Sequence, residues 1–225
     1  MKTVQEKNAR QVAPSVLAGV SHSNADNFVS GLESVVQSHF RTVGEIVGTL
    51  HSRTIAEMAH QLNLARIAGR TVFTMGNGGS AATALHFAND LSMAIGKDGL
   101  GVNLRVVCLN GNMSLFSALA NDIGYDQVFA WQLRSLVQEG DIVVGISASG
   151  NSPNCVQGLR CAKERKALTF GFLGFDGGIM KDLCDHYVHV SSFDYLVVED
   201  VHLAIAHGLS YCLRAGNAEQ ATAAD

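Results

Sequence analysis

The chain has 225 residues, 47% hydrophobic and 16% charged, enough apolar material to bury one sizeable core and too much for a disordered chain. A formal net charge of -4 supplies no basic field for a nucleic-acid backbone, so nonspecific DNA or RNA binding is set aside, whereas a small anionic ligand needs only a local site. The five cysteines (Cys108, Cys155, Cys161, Cys184, Cys212) form no C-x-x-C pair and fall mostly in apolar runs, which suits reduced core thiols and a cytoplasmic location.

Residues 1–23 lack sustained periodicity and are expected to be a flexible segment. The apolar stretch Val12 to Val20 is short, contains Pro14 and leads to no convincing cleavage site, and nothing elsewhere approaches the length of a membrane span. From Ala25 to Leu50, Phe28, Leu32, Val35, Val36, Phe40, Val43, Ile46 and Val47 recur at helical spacing, and a second helix is expected from Thr54 to Ala68. Residues 24–69 thus read as an N-terminal helical extension.

After Gly69 short apolar runs alternate with helical stretches. Strands are expected at Thr71 to Met75, Leu104 to Leu109, Asp141 to Ser147, Leu168 to Leu173 and Tyr187 to Val190, with helices at Ser80 to Ala94, Tyr125 to Val137, Pro153 to Glu164 and Leu196 to Leu213. That alternation predicts an α/β core over 70–214, a doubly wound, five-stranded, mostly parallel sheet without internal repeats, followed by a flexible tail at 215–225. Ligands in such sheets gather beyond the carboxyl ends of the strands.

Two strand-to-helix loops there have the chemistry of anion sites. Gly76-Asn77-Gly78-Gly79-Ser80 offers close backbone approach, free N–H groups and a hydroxyl at a helix start, but lacks the lysine of a P-loop and the spacing of a dinucleotide fingerprint. No nucleotide cofactor is expected; the plain alternative is an ordinary glycine-rich turn. In Ser147-Ala148-Ser149-Gly150-Asn151-Ser152-Pro153, Ser152 is placed to cap a helix with Pro153 at N1, while Ser147 and Ser149 add hydroxyls that capping does not explain.

His86 and Asp90 are one helical turn apart and project from one helix face, as a zinc pair or as a local polar pair. Further ligands could come from Glu199 and His207 on the last helix, although eight residues of helix rise about 12 Å, so that one of them could instead serve a neighbouring subunit. His202 reads as a polar group on a partly buried helix and stays outside the site. Structural or solvent roles are expected for His22, His39, His51, His60, His186 and His189.

Taken together, Gly-Asn-Gly-Gly-Ser at 76–80, His86-Phe87-Ala88, Ala120-Asn121-Asp122-x-Gly124-Tyr125 with Val128-Phe129, Ser147-x-Ser149-Gly150-Asn151-Ser152 and Val201-His202…His207 resemble, in order, the sugar isomerase (SIS) domain family, and within it the phosphoheptose isomerases, over roughly residues 25–213. The resemblance implies a flavodoxin-like parallel sheet, an N-terminal helix used in assembly and a homotetramer with active sites at subunit interfaces; charge and hydropathy already argue against a nucleic-acid or membrane partner. It implies that Ser147, Ala148 (through its backbone), Ser149 and Ser152 hold a sugar phosphate, with Asn77, Gly78, Gly79, Ser80, Asn110 and Glu199 on the substrate. Asp90 as base and His207 as acid would interconvert sedoheptulose 7-phosphate and a heptose 7-phosphate through an enediol, with one zinc per subunit on His86, Asp90, Glu199 and His207.

The chain departs from the family pattern at Asp90 and Glu199, where glutamate and glutamine are usual, and at Thr83 and Gly111, where aspartates are usual. Other readings keep the fold: a noncatalytic regulator like the paralogue that binds the bacterial replication initiator, a sugar-phosphate sensor, or an isomerase of another sugar phosphate such as arabinose 5-phosphate. His86, a carboxylate at 90 and His207 favour chemistry.

Overall fold

The computed structural model describes residues 25–93 and 104–222, with side chains at 27–93 and 104–215. The expected flexible segment at 1–23 and the last three residues of the expected tail lie outside the described residues. In chain order the elements are α1 (Ala25–Thr49), α2 (Ser52–Ile67), β1 (Thr71–Gly76), α3 (Gly79–Met93), β2 (Arg105–Cys108), α4 (Met113–Asp122), a 3-10 turn (Tyr125–Gln127), α5 (Val128–Leu136), β3 (Ile142–Ser147), α6 (Pro153–Glu164), β4 (Leu168–Leu173), α7 (Gly178–Leu183), β5 (His186–His189) and α8 (Tyr195–Thr222).

The five strands form one parallel sheet in the order β2-β1-β3-β4-β5. The sheet has helices on both faces, and the period of two along each strand sorts side chains between them. Val72, Val144, Ile146, Phe170 and Phe172 pack with α2, α3 and α8 through Met58, Leu62, Phe87, Leu91, Val201 and Ile205. Phe73, Met75, Val143 and Leu173 pack on the other face with α4 to α7 through Leu119, Phe129, Leu133, Leu159 and Met180. Every residue of β3 is buried, as a central strand covered on both faces requires. By contrast β2, paired only with β1 at the sheet edge, exposes alternate residues.

The chain divides into two compact units, residues up to Thr42 and residues from Val43 onward. In the first, the described part of α1 exposes Phe28, Val29, Leu32, Val35, Val36 and Phe40. In the second, α2 buries Met58 and Leu62 completely in the core, although the sequence grouped it with α1 as part of an extension.

Other differences have local causes. Sequence periodicity missed α4, which buries only Leu119, and α7, a six-residue helix too short to show a period. The stretch expected as one helix from Tyr125 begins as a 3-10 turn after Gly124. The last helix continues to Thr222, beyond the expected end at Leu213 and into the expected tail. Residues Tyr195–Ala215 of α8 are also long and apolar enough to cross a bilayer, with a mean hydropathy of 1.2, where the sequence reading found no such stretch. Half of that window is buried, and Val198, Val201, Ile205 and Leu209 place it in the core. All five cysteines are free; Cys155 and Cys161 are buried, but Cys212 is exposed rather than in the core.

Candidate active site

The order β2-β1-β3 puts the sheet's switch point between β1 and β3, which leave toward opposite edges. Gly76 at the end of β1 is in register with Ile146 near the end of β3, so the two glycine- and serine-rich loops emerge side by side. They are also bonded to each other. The Asn77 amide donates to Asn154 Oδ1 at 2.8 Å, and the Asn154 amide donates to Asn77 Oδ1 at 2.8 Å. Tyr125 donates its hydroxyl to the same Asn77 oxygen at 2.8 Å.

Asn154 is fully buried at the start of α6, where its Oδ1 also accepts from the Cys155 N–H. The side chain of Asn77, a residue expected beside the sugar, joins the two loops, and its backbone remains free to face a ligand. The Asn110 amide is similarly engaged, exchanging bonds with the Gly76 N–H and carbonyl at 3.2 and 2.9 Å.

Within the second loop Ser147 is buried and its Oγ lies 3.1 Å from Ser152 Oγ. Ser152 holds the cap position of α6 but makes no side-chain cap bond, contrary to expectation, because its hydroxyl is paired with Ser147. Ser149 Oγ accepts from the Asn151 N–H. The turn needs Gly150, whose φ is +63° and where a Cβ would overlap the Gly177 carbonyl. In the first loop Ser80 is buried at the start of α3, and Thr83 donates to the Gly79 carbonyl at 3.2 Å, so that hydroxyl is already used within the helix.

The titratable group at this mouth is Glu199. Its carboxylate lies so close over Gly79 that a Cβ there would collide with it. Burial, and then the charge of Asp200, push its carboxyl above the usual range.

His86, Asp90 and His207 form a second group farther along the same helices. His86 Nε2 lies 2.9 Å from His207 Nε2, and Asp90 Oδ2 lies 3.4 Å from the first and 3.7 Å from the second. Both imidazoles are exposed and Asp90 is half-buried. These three ligand atoms fall within 4.8 Å of one another, a set that could hold a metal ion. Bonds of about 2.0–2.1 Å in a tetrahedral site put ligand atoms roughly 3.3 Å apart, so the three fit one face and leave a fourth position open.

Within one chain Glu199, the fourth expected ligand, lies outside this set. The eight residues separating it from His207 set the two about 12 Å apart along α8. Within one chain Asp90 follows Ser80 by ten residues of α3, a rise of about 15 Å.

Beside that group is a cavity of about 270 Å³ lined by Asp90, His207, Ser210, Tyr211 and Arg214. Sequence reading missed the last three, although spacings of four and seven residues from His207 place Tyr211 and Arg214 on its helix face. It also missed Asn154, whose single buried amide carries no periodic signal.

A parallel sheet ordered 2-1-3-4-5 with polar loops at its switch point describes the SIS domain, whose family model matches residues 38–174. The chain is 40% identical to the phosphoheptose isomerase of Pelobacter propionicus over 168 residues, which is 74% of this chain and 87% of that one. It is also 40% identical to the phosphoheptose isomerase of Geobacter metallireducens, over 76% of this chain and 89% of that one. Its structure matches the phosphoheptose isomerase GmhA from Neisseria gonorrhoeae with a TM-score of 0.74 at 28% identity, covering 83% of this chain and 98% of that chain. The chain belongs to the phosphoheptose isomerase family of SIS-domain proteins.

Proposed function

We propose that the protein is a phosphosugar aldose–ketose isomerase that converts sedoheptulose 7-phosphate to a heptose 7-phosphate. The observation that carries this reading is the joining of the two polar loops through Asn77 and Asn154, in a chain that also groups His86, Asp90 and His207. Ser147, Ser149, Ser152 and the Ala148 backbone would hold the phosphate at the start of α6, where helix N–H groups favour an anion. Gly78, Gly79, Ser80 and the Asn77 backbone would face the sugar, with Glu199 above them.

The chemistry is proton transfer. Asp90 takes a proton from C1 of the open-chain ketose; the C–H electron pair becomes the C1=C2 bond, and the carbonyl pair moves to O2, which takes a proton from His207. His207 then recovers a proton from O1 as C1=O forms, and Asp90 returns its proton to C2. Zinc fits His86, Asp90 and His207, and when bound it would polarise the sugar oxygens as a Lewis acid.

A seven-carbon sugar and its phosphate reach roughly 10 Å at about 1.25 Å of advance per bond. That is less than the rise of about 15 Å from Ser80 to Asp90. We therefore place the complete site between subunits of a homotetramer, one chain's loops holding the phosphate and another chain's Asp90 and His207 acting on the far end. The apolar positions exposed on α1 supply an assembly surface, which keeps residues 24–69 partly in that role around a sugar-binding core at 70–214. A reducing, cytoplasmic setting suits the five free cysteines.

The test is incubation with sedoheptulose 7-phosphate, with zinc or with a chelator, followed by NMR. The reading requires loss of ketose signals and growth of aldose signals. Protection against unfolding with an unchanged sugar spectrum would make the protein a binder instead.

A further inference from the structure

We propose that Arg214 is a catalytic residue of the Asp90–His207 pocket, where its guanidinium holds the sugar oxygens that gain negative charge as the enediol forms. This assignment rests on the isomerase reading above. Arg214 lines the same cavity as Asp90 and His207. Its guanidinium carbon lies 5.9 Å from the centre of the Tyr211 ring, within cation–π range. Among the described residues it forms no ion pair: the carboxylate in the cavity, Asp90, is engaged with His86 and His207.

Helix geometry gives the direction. Arg214 follows His207 by seven residues, a rise of about 10 Å, and helical side chains lean toward the N-terminus. An extended arginine covers most of that rise, with Tyr211 lying between as a platform. Extended in that direction, the guanidinium would reach back over the cavity toward His207. A planar fork of N–H donors can meet two neighbouring oxygens, as O1 and O2 of an enediolate require. The cavity's other polar lining does not fill this role: Ser210 donates its hydroxyl to the Ala206 carbonyl at 2.9 Å, and Asp90 and His207 are occupied with protons.

Charge on the two oxygens is small in the bound ketose and large in the transition state. An interaction of this kind therefore acts on kcat and leaves KM nearly unchanged. A cation that gripped the sugar's phosphate would do the reverse.

The experiment measures kcat and KM for sedoheptulose 7-phosphate with the wild-type protein, Arg214→Ala and Arg214→Lys, each zinc-loaded and chelator-treated, with and without added guanidinium ion. Removing one such donor is expected to lower kcat on the order of 100-fold with KM within about threefold. Guanidinium is expected to restore part of the loss in Arg214→Ala and to leave the wild type unaffected. Arg214→Lys, which keeps the charge and loses the fork, is expected to fall between the two and provides a second test should the alanine variant fail to fold. Unchanged kcat in both variants overturns the assignment while leaving the isomerase reading intact, and so does a rise in KM alone. No turnover by wild-type protein overturns both.

Discussion

Asn77 and Asn154 exchange two amide hydrogen bonds of 2.8 Å across 77 residues of sequence, one from each loop at the sheet's switch point. Because Asn154 is fully buried, neither amide can be removed without leaving its partner short of a bond. This pair makes two separate helix mouths into one polar surface.

Replacing Asn154 with alanine strands the Asn77 amide N–H and the Cys155 N–H, both of which donate to Asn154 Oδ1. Stability should fall by about 1–3 kcal/mol in urea unfolding, and affinity for inorganic phosphate should weaken roughly tenfold by calorimetry. A variant that binds phosphate as the wild type does would detach the clasp from the ligand site.

Zinc binding is expected to stabilise the folded chain. At a free metal concentration about 100 times Kd the gain is about 2.7 kcal/mol, or a rise in Tm of roughly 5–10 °C for a protein of this size. His86→Ala removes one of three ligands and should abolish most of that rise in a thermal melt, with little change in the metal-free Tm because the His86 ring is exposed.

His202 is fully buried, neither ring nitrogen has a full hydrogen bond, and burial pushes its pKa down to about 4, against a weaker opposing pull from the Leu173 carbonyl. The unfolded chain takes up this proton below about pH 6.5 while the folded chain stays neutral until about 4, so stability is lost as pH falls through that window. The loss approaches about 3 kcal/mol at about 1.36 kcal/mol per pKa unit. Urea unfolding from pH 7 to 4.5 should record it, and His202→Leu should flatten that part of the profile.

Glu199 shifts the other way. Its carboxyl is raised first by burial and then by Asp200, so the folded chain holds this proton to higher pH than the unfolded chain and loses stability as pH rises through the carboxylate range. Glu199→Gln keeps the shape and removes the charge. Its Tm should exceed that of the wild type at neutral pH, and the difference should vanish in acid.

Much of this molecule was legible in its sequence. The fully buried β3 is an apolar run up to Ile146, and Pro153 marks the start of α6 where the structure has it. Elements with little burial or few residues, α4 and α7, left no periodic trace. For the site, residue types and local spacing located His86 and Asp90 on one helix face, because a turn of helix is a local relationship. Whether Glu199 or His207 reaches them depends on how α3 and α8 run side by side. Glu199 meets Gly79 and His207 meets His86, a pairing that belongs to tertiary packing and not to spacing within either helix. The expected Ser152 cap failed for a similar reason: local preference yielded to the hydroxyl of Ser147, five residues away.

Proton transfer at the reacting carbons can be followed directly by incubating the protein with sedoheptulose 7-phosphate in D2O and recording the sugar's NMR spectrum over time. As the Asp90 proton exchanges with solvent, deuterium should enter C2 of the aldose as it appears and C1 of the ketose that returns from the enediol, and both changes should slow by about 100- to 10,000-fold in Asp90→Asn and His207→Ala. A sugar recovered unconverted and fully protonated from the wild-type protein would contradict the account.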